Sequence, residues 1–199
     1  GPIQILALPW LGRSILASMD EHKNKTIEEI QQTLLEKAES ILMGEIDALD
    51  AAHPAVLLAH ASVFGATYGS ERRTILGRDL LLPASLYANP AFDYVALGHI
   101  HRAQNLNEGG HHPVIYPGSI ERVDFGEVDD RKTYVIAEVE RNQTTFRQID
   151  LPGRKFIDRS LELTRSENLM EQILSALPSE SQMKDAVLRL SVAYPRDWE

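Results

Sequence analysis

The chain has 199 residues, 43% of them hydrophobic and 25% charged, with a formal net charge of −9. That size buries a sizeable core, and the acidic balance excludes a protein whose whole surface attracts nucleic acid. There is no cysteine, which excludes a disulfide framework and thiolate metal sites, fits a cytoplasmic location, and leaves His, Asp, Glu and Asn as donors for a transition metal.

The longest apolar runs, such as Ile3 to Trp10 and Ala55 to Ala59, are far too short to cross a bilayer. No basic region precedes an apolar stretch at the N-terminus, so neither a membrane anchor nor a secretory signal is expected. Pro2 to Leu8 reads as a buried strand. A chain opening on such a strand points either to a sheet edge or to a domain whose first part lies upstream.

Thr26 and Glu29 form a capping box, and Ile27, Ile30, Leu34, Ala38, Ile41, Leu42 and Leu49 recur at helical spacing, which predicts one long amphipathic helix ending near Asp50. Pro54 to Ser62 predicts a short apolar strand carrying His60 at its end. A Gly-containing segment with Arg72, Arg73 and Arg78 follows, then a short helix from Pro83. Tyr94 to Gly98 is a buried strand running into His99, and Val114 to Tyr116 is another, closed by Pro117-Gly118. Lys132 to Glu140 and Thr144 to Leu151 alternate around Asn142 and Gln143 as an antiparallel hairpin does. Leu151-Pro152-Gly153 combines turn residues with a charge shift and marks a boundary. Beyond it a strand (Phe156 to Thr164), a helix (Ser166 to Leu177) and a strand (Ala186 to Tyr194) make a β-α-β unit. Charge is uneven along the chain. The first fifty residues are acid-rich, and Arg141 to Arg165 leans basic through Arg147, Arg154, Lys155 and Arg159. Either a local basic groove or plain solvated surface accounts for that.

Two strand ends carry the chemistry. Leu57-Leu58-Ala59-His60 and Val95-Ala96-Leu97-Gly98-His99-Ile100-His101 each deliver imidazoles where a hydrophobic strand stops. Residues just past strand C-termini gather at one sheet edge in α/β proteins. A Gly before His99 is expected to let the backbone turn sharply. In an extended segment His99 and His101 would share a side, about 6 to 7 Å apart. That suits two neighbouring ions, which in two-metal sites lie roughly 3.5 to 4 Å apart. Taken singly, a strand-end His or a bare His-x-His is more often structural. The combination is more specific. His53 and the His111-His112 pair in a Gly-rich loop read as structural or surface residues.

The order His60, then Gly98-His99-Ile100-His101, resembles the last two metal motifs of calcineurin-like metallophosphoesterases. Tyr116-Pro117-Gly118-Ser119-Ile120-Glu121-Arg122-Val123-Asp124-Phe125-Gly126-Glu127 resembles the segment that follows them in SbcD-type DNA double-strand break repair nucleases. The resemblance implies a partial calcineurin-like β-sandwich flanked by helices over residues 1–150, the C-terminal part of a nuclease domain. A partial capping, DNA-binding domain of β-α-β form over residues 151–199 would follow. It implies that His60 and His99 hold one metal and His101 a second, with manganese the usual ion. Arg102 and Arg122, beside the metal motifs, are expected either to hold substrate phosphate or to form surface salt bridges, and Ser119 is a further phosphate candidate. The implied activity is exonucleolytic and endonucleolytic hydrolysis of DNA. The implied partners are DNA and the SbcC-type coiled-coil ATPase, whose docking segment would lie beyond Glu199.

The sequence departs from that family in one respect. Asp-x-His, Gly-Asp-x-x-Asp and Gly-Asn-His motifs are expected upstream of His60, and none is present; Asp20-Glu21-His22 matches the first by letters only. The bridging carboxylate, the Asn ligand and the proton-transferring histidine are therefore missing, and no residue of this chain is assigned as the catalytic acid or base. Three neutral imidazoles do not balance two divalent cations, so weak metal binding and little nuclease activity are expected of the chain alone. Two other readings follow from the same residues. One is a phosphatase or cyclic-nucleotide phosphodiesterase with the same ligands. The other is a non-catalytic piece that assembles with other chains, or with itself as a homodimer, through an uncovered apolar face.

Overall fold

A computed structural model of the chain describes residues 1–11, 26–69, 80–165 and 168–198. Asp20-Glu21-His22, the arginines Arg72, Arg73 and Arg78, the helix start at Ser166 and the terminal Glu199 lie outside the described residues. The protein is mixed α/β and divides into two compact units, Gly1–Ile120 with Arg131–Leu151, and Glu121–Asp130 with Pro152–Glu199. The segment from Glu121 to Asp130 thus joins the second unit, although the sequence runs it on from the metal motifs.

In the first unit the elements are β1 (Gln4–Leu8), α1 (Ile27–Asp47), β2 (Ala55–His60), β3 (Ser62–Val63), β4 (Leu81–Leu82) and α2 (Ala84–Tyr87). They continue with β5 (Tyr94–Gly98), β6 (Gln104–Asn105), β7 (Val114–Tyr116), β8 (Thr133–Glu140) and β9 (Gln143–Asp150). A five-stranded sheet runs in the order β1-β2-β5-β7-β6, with β1, β2, β5 and β7 parallel and β6 antiparallel at one edge. β1 is the other edge.

Period-2 alternation divides the side chains of this sheet between two apolar faces, as in parallel sheets covered on both sides. Ala55, Leu57, Ala59, Val95, Leu97, Val114 and Tyr116 form one face with Leu34, Ala38 and Leu42 of α1. The helix begins where the sequence places it. Glu29 N donates to Thr26 Oγ1 at 3.2 Å and Thr26 N donates to Glu29 Oε2 at 2.7 Å, satisfying two orphan amides reciprocally. Its buried stripe is narrower than the apolar pattern. Leu34, Ala38 and Leu42 repeat every four residues inward, whereas Ile41 lies 63% exposed. Pro83 sits at the N-cap of α2, so the short helix starts where the sequence places it.

The opposite face, built of Val56, Tyr94, Ala96 and Ile115, receives Val135, Ala137 and Val139 from the β8–β9 hairpin. Burial pushes the Tyr94 hydroxyl pKa up to about 12. The hairpin covers this face incompletely. An open apolar cleft of about 830 Å³ remains, lined by residues including Ala7, Leu58, Ala96, Ile115, Val135 and Ala137. Leu58 is accordingly 43% exposed despite its place in a sheet strand.

In the second unit β10 (Phe156–Glu162), α3 (Leu169–Ala176), α4 (Glu180–Met183) and β11 (Val187–Ala193) follow a single turn of 3₁₀ helix at Phe125–Glu127. β10 and β11 pair in parallel, so α3 lies within a β-α-β crossover. Phe125 and Phe156 pack with ring centres 5.0 Å apart, and the Arg189 guanidinium lies 4.4 Å over Phe125 while paired with Asp158 opposite it. Gly153 approaches Glu121 closely: a Cβ there would sit 2.8 Å from Oε1. Among the described residues no helix is long and apolar enough to cross a membrane.

Candidate metal and phosphate site

The register of the parallel sheet decides which side chains meet. Leu8 pairs with Ala59 and His60 with Gly98, so Pro9-Trp10 after β1, His60 closing β2 and His99 after β5 emerge at one edge. The His60 and His99 ring centres are 5.0 Å apart, and Trp10 lies 6.2 Å from the first and 5.3 Å from the second.

Gly98 permits this for a reason other than the expected turn. Gly98 is the last residue of β5, and the left-handed conformation falls instead on His99, at φ 101°. A Cβ on Gly98 would stand 3.0 Å from His60 Nδ1, so the missing side chain makes room for the imidazole of the neighbouring strand. The positive φ of His99 is backbone strain located at the candidate site, where such strain tends to cluster.

His99 leaves the extended region at φ 101°, so the fully extended backbone assumed by the i, i+2 spacing is interrupted at its first residue. Ile100, 2% exposed, anchors the segment in the core between them. His101 is held by its backbone. Its carbonyl accepts from Ser119 N at 3.1 Å, and Gly118, at φ +84°, passes so near that a Cβ would lie 2.8 Å from the same oxygen. Among the described residues no group of three or more His, Asp or Glu side chains lies close enough to hold one metal ion. The structure therefore brings the His60 and His99 rings together, without a three-ligand group around them among the described residues.

Two imidazoles sharing a first-row ion through nitrogens at about 2.1 Å bring their ring centres to roughly 5 Å. The observed pair fits one shared ion in that respect. Both ligands are neutral in their binding form, however, so they supply no charge to balance a divalent cation.

The residues expected to meet phosphate divide. Arg102 is exposed, and its carbonyl accepts from Gln104 Nε2 at 3.1 Å. The Ser119 hydroxyl accepts from Lys132 Nζ at 2.8 Å, and Lys132 is itself only 3% exposed. No sequence signal points to a buried lysine there; it begins the hairpin and reads as an ordinary surface cation. Arg122 belongs to the second unit. Its guanidinium donates to the backbone carbonyls of Glu127, Val128, Asp130 and Arg154. Those bonds make it a clasp for its own loop rather than a grip on phosphate. Glu121 beside it accepts from the amides of Arg122 and Arg154, and these bonds hold its carboxyl below the usual range.

Two of the other described histidines make structural contacts. His53 Nδ1 lies 2.9 Å from Asp50 Oδ2. His112 does not lie in the surface turn expected of it: it is 3% exposed and bonded through Nε2 to Tyr87 O at 2.8 Å, with only His111 exposed.

No protein-family model matches the chain. It is 27% identical over 203 residues to the SbcD component of the SbcCD nuclease of Staphylococcus epidermidis, an alignment covering 97% of this chain and 51% of that protein. It is 31% identical over 108 residues to the SbcD component of the SbcCD nuclease of Rhodobacter capsulatus, covering 53% of this chain and 26% of that protein. The chain thus spans about half the length of the first relative and about a quarter of the second.

Proposed function

We propose that this chain, a homologue of SbcD-type nucleases, contributes the histidine side of a metal-dependent DNA phosphodiesterase site. The observation that carries the reading is the His60–His99 pair, 5.0 Å apart where two parallel strands end. His60 and His99 would share one ion, and His101 would serve a second. Manganese suits imidazole donors better than magnesium, which prefers oxygen. Bound there, such ions supply Lewis acidity toward a phosphodiester and lower the pKa of a coordinated water.

The chain's own residues act around that chemistry. Gly98 leaves His60 room to face His99, Ile100 fixes the depth of the segment in the core, and Ser119 ties His101 through its backbone oxygen. Ser119, with Lys132 behind it, and the exposed Arg102 remain the candidates for phosphate contact. The first unit would then be part of a calcineurin-like nuclease domain and the second part of its capping domain. DNA and an SbcC-type ATPase are the partners that the relatives' names suggest. With no three-ligand group among the described residues, the chain alone is expected to bind metal weakly and hydrolyse little.

Titrating the chain with Mn²⁺ while following its histidine ring protons by NMR tests this. The expected result is paramagnetic broadening of His60 and His99 together at high Mn²⁺, abolished by His99→Ala, with no nuclease activity above background. Broadening confined to other histidines, or rapid Mn²⁺-dependent DNA cleavage that survives His99→Ala, would overturn it.

A further inference from the structure

Trp10 is an aromatic side chain that the metal reading does not use. It follows β1 at the edge where His60 and His99 emerge, packs 5.3 Å from the His99 ring centre and 6.2 Å from that of His60 at tilts of about 42° and 41°, and remains 41% exposed. Burying a tryptophan is favourable, and a core role would hide it. Here part of the indole stays open to solvent beside the two imidazoles.

We propose that Trp10 is a base-stacking subsite: it takes an unpaired nucleobase next to the phosphate that the imidazole pair faces. This rests on the reading of the chain as part of a DNA phosphodiesterase and adds to it the element that engages the base. The chemistry is sequence-tolerant, because every base presents a π-face to an indole. Each base–aromatic stack is strong enough to change affinity by about tenfold or more. It also fits the charge balance. A chain of net charge −9 gains little from long-range attraction to phosphate, so contacts to the bases count for more of its affinity. A base hangs one sugar away from its phosphate, and Trp10 touches the histidines that would face that phosphate. An unstacked base at a strand end is the part of DNA free to lie on it.

The test uses the 199-residue chain in a Trp198→Phe background, so that Trp10 is the only indole and reports its own environment. Two single-stranded probes of equal length are titrated in without metal: an oligodeoxyadenylate and an abasic strand with the same phosphates. The expected result is roughly tenfold tighter binding of the base-bearing strand, with Trp10 fluorescence quenched by that strand and not by the abasic one. Trp10→Ala should reduce the preference to near unity, while Trp10→Phe, which keeps an aromatic face, should retain most of it. If both strands bind equally to the parent, or if Trp10→Ala keeps the preference, the stacking subsite is wrong while the phosphodiesterase reading stands. If neither strand binds, the stacking subsite is wrong, while the phosphodiesterase reading is decided separately by the Mn²⁺ titration.

Discussion

Asp93 and Arg141 lock the tip of the β8–β9 hairpin to the start of β5. The Asp93 carboxylate is fully buried and receives Arg141 Nη1 at 3.1 and 3.0 Å, together with the amides of Asn142 at 2.6 Å and Ala55 at 2.8 Å. Arg141 extends the lock by donating to Ala51 O and Ala91 O. Removing one partner of a buried ion pair leaves the other desolvated and unpaired. Asp93→Ala should therefore destabilise the chain by about 3–5 kcal/mol, and two backbone amides would lose their acceptor as well. Arg141→Ala should also destabilise, because the fully buried carboxylate keeps both amides but loses its counter-charge. Urea denaturation of the two variants measures both losses. Small losses in both would show that the pair does not hold the hairpin.

Gly98→Ala separates the site from the fold. Gly98 is not among the positive-φ residues, so alanine is allowed by the backbone, yet its Cβ would stand 3.0 Å from His60 Nδ1. The ring of His60, at an exposed strand end, is the part able to give way. The variant should melt within about 1 kcal/mol of the parent, since surface-side changes that create no cavity are mild. It should nevertheless lose the joint Mn²⁺ broadening of His60 and His99. Joint broadening as strong as the parent's would mean that the close approach does not set the geometry of the pair.

Much of the sheet is legible in the sequence because its signals are local. The strand around Leu57, the strand from Tyr94 to Gly98 and the capping box at Thr26 each depend on a few consecutive residues. The convergence of His60 and His99 is legible too, since both close hydrophobic strands. The placement of His101 is not. The i, i+2 argument assumes an extended backbone, and His99 breaks it with a positive φ that no composition signals. Arg122 departs from expectation for a related reason. Its donors are claimed by carbonyls of a loop whose path depends on tertiary packing. Trp10, Lys132 and the Asp93–Arg141 pair owe their surroundings to residues far along the chain, which spacing alone does not reveal.

Tyr116→Phe probes how firmly the segment after His60 is held. Tyr116 is fully buried in β7, and its hydroxyl donates to Ala61 O at 2.5 Å, one residue past His60. Phenylalanine keeps the ring but leaves that carbonyl without its donor, which costs about 1–3 kcal/mol for a buried acceptor. The loss should appear in thermal melts and in faster amide exchange at Ala61 and Ser62. Unchanged exchange there would show that β-sheet pairing alone fixes the segment.

His112 should make stability fall on the acid side. Burial lowers its pKa below the ordinary value of 6.5, and the positive potential of His111 adds to this, against the opposing effects of its bond to Tyr87 O and the Asp93 carboxylate. Its Nδ1 is buried with no partner among the described residues, so a proton added there would have no acceptor. The sign follows from linkage. With the folded pKa depressed, the unfolded chain binds the proton more readily, so stability is complete above 6.5 and declines as pH falls below it toward the folded value. Within that window the slope from this one group is at most about 1.4 kcal/mol per pH unit. His112→Gln keeps a donor for Tyr87 O but does not titrate. Denaturation of parent and variant across this range should show the parent losing stability relative to His112→Gln as the solution is acidified, and parallel curves would place the acid sensitivity in other groups.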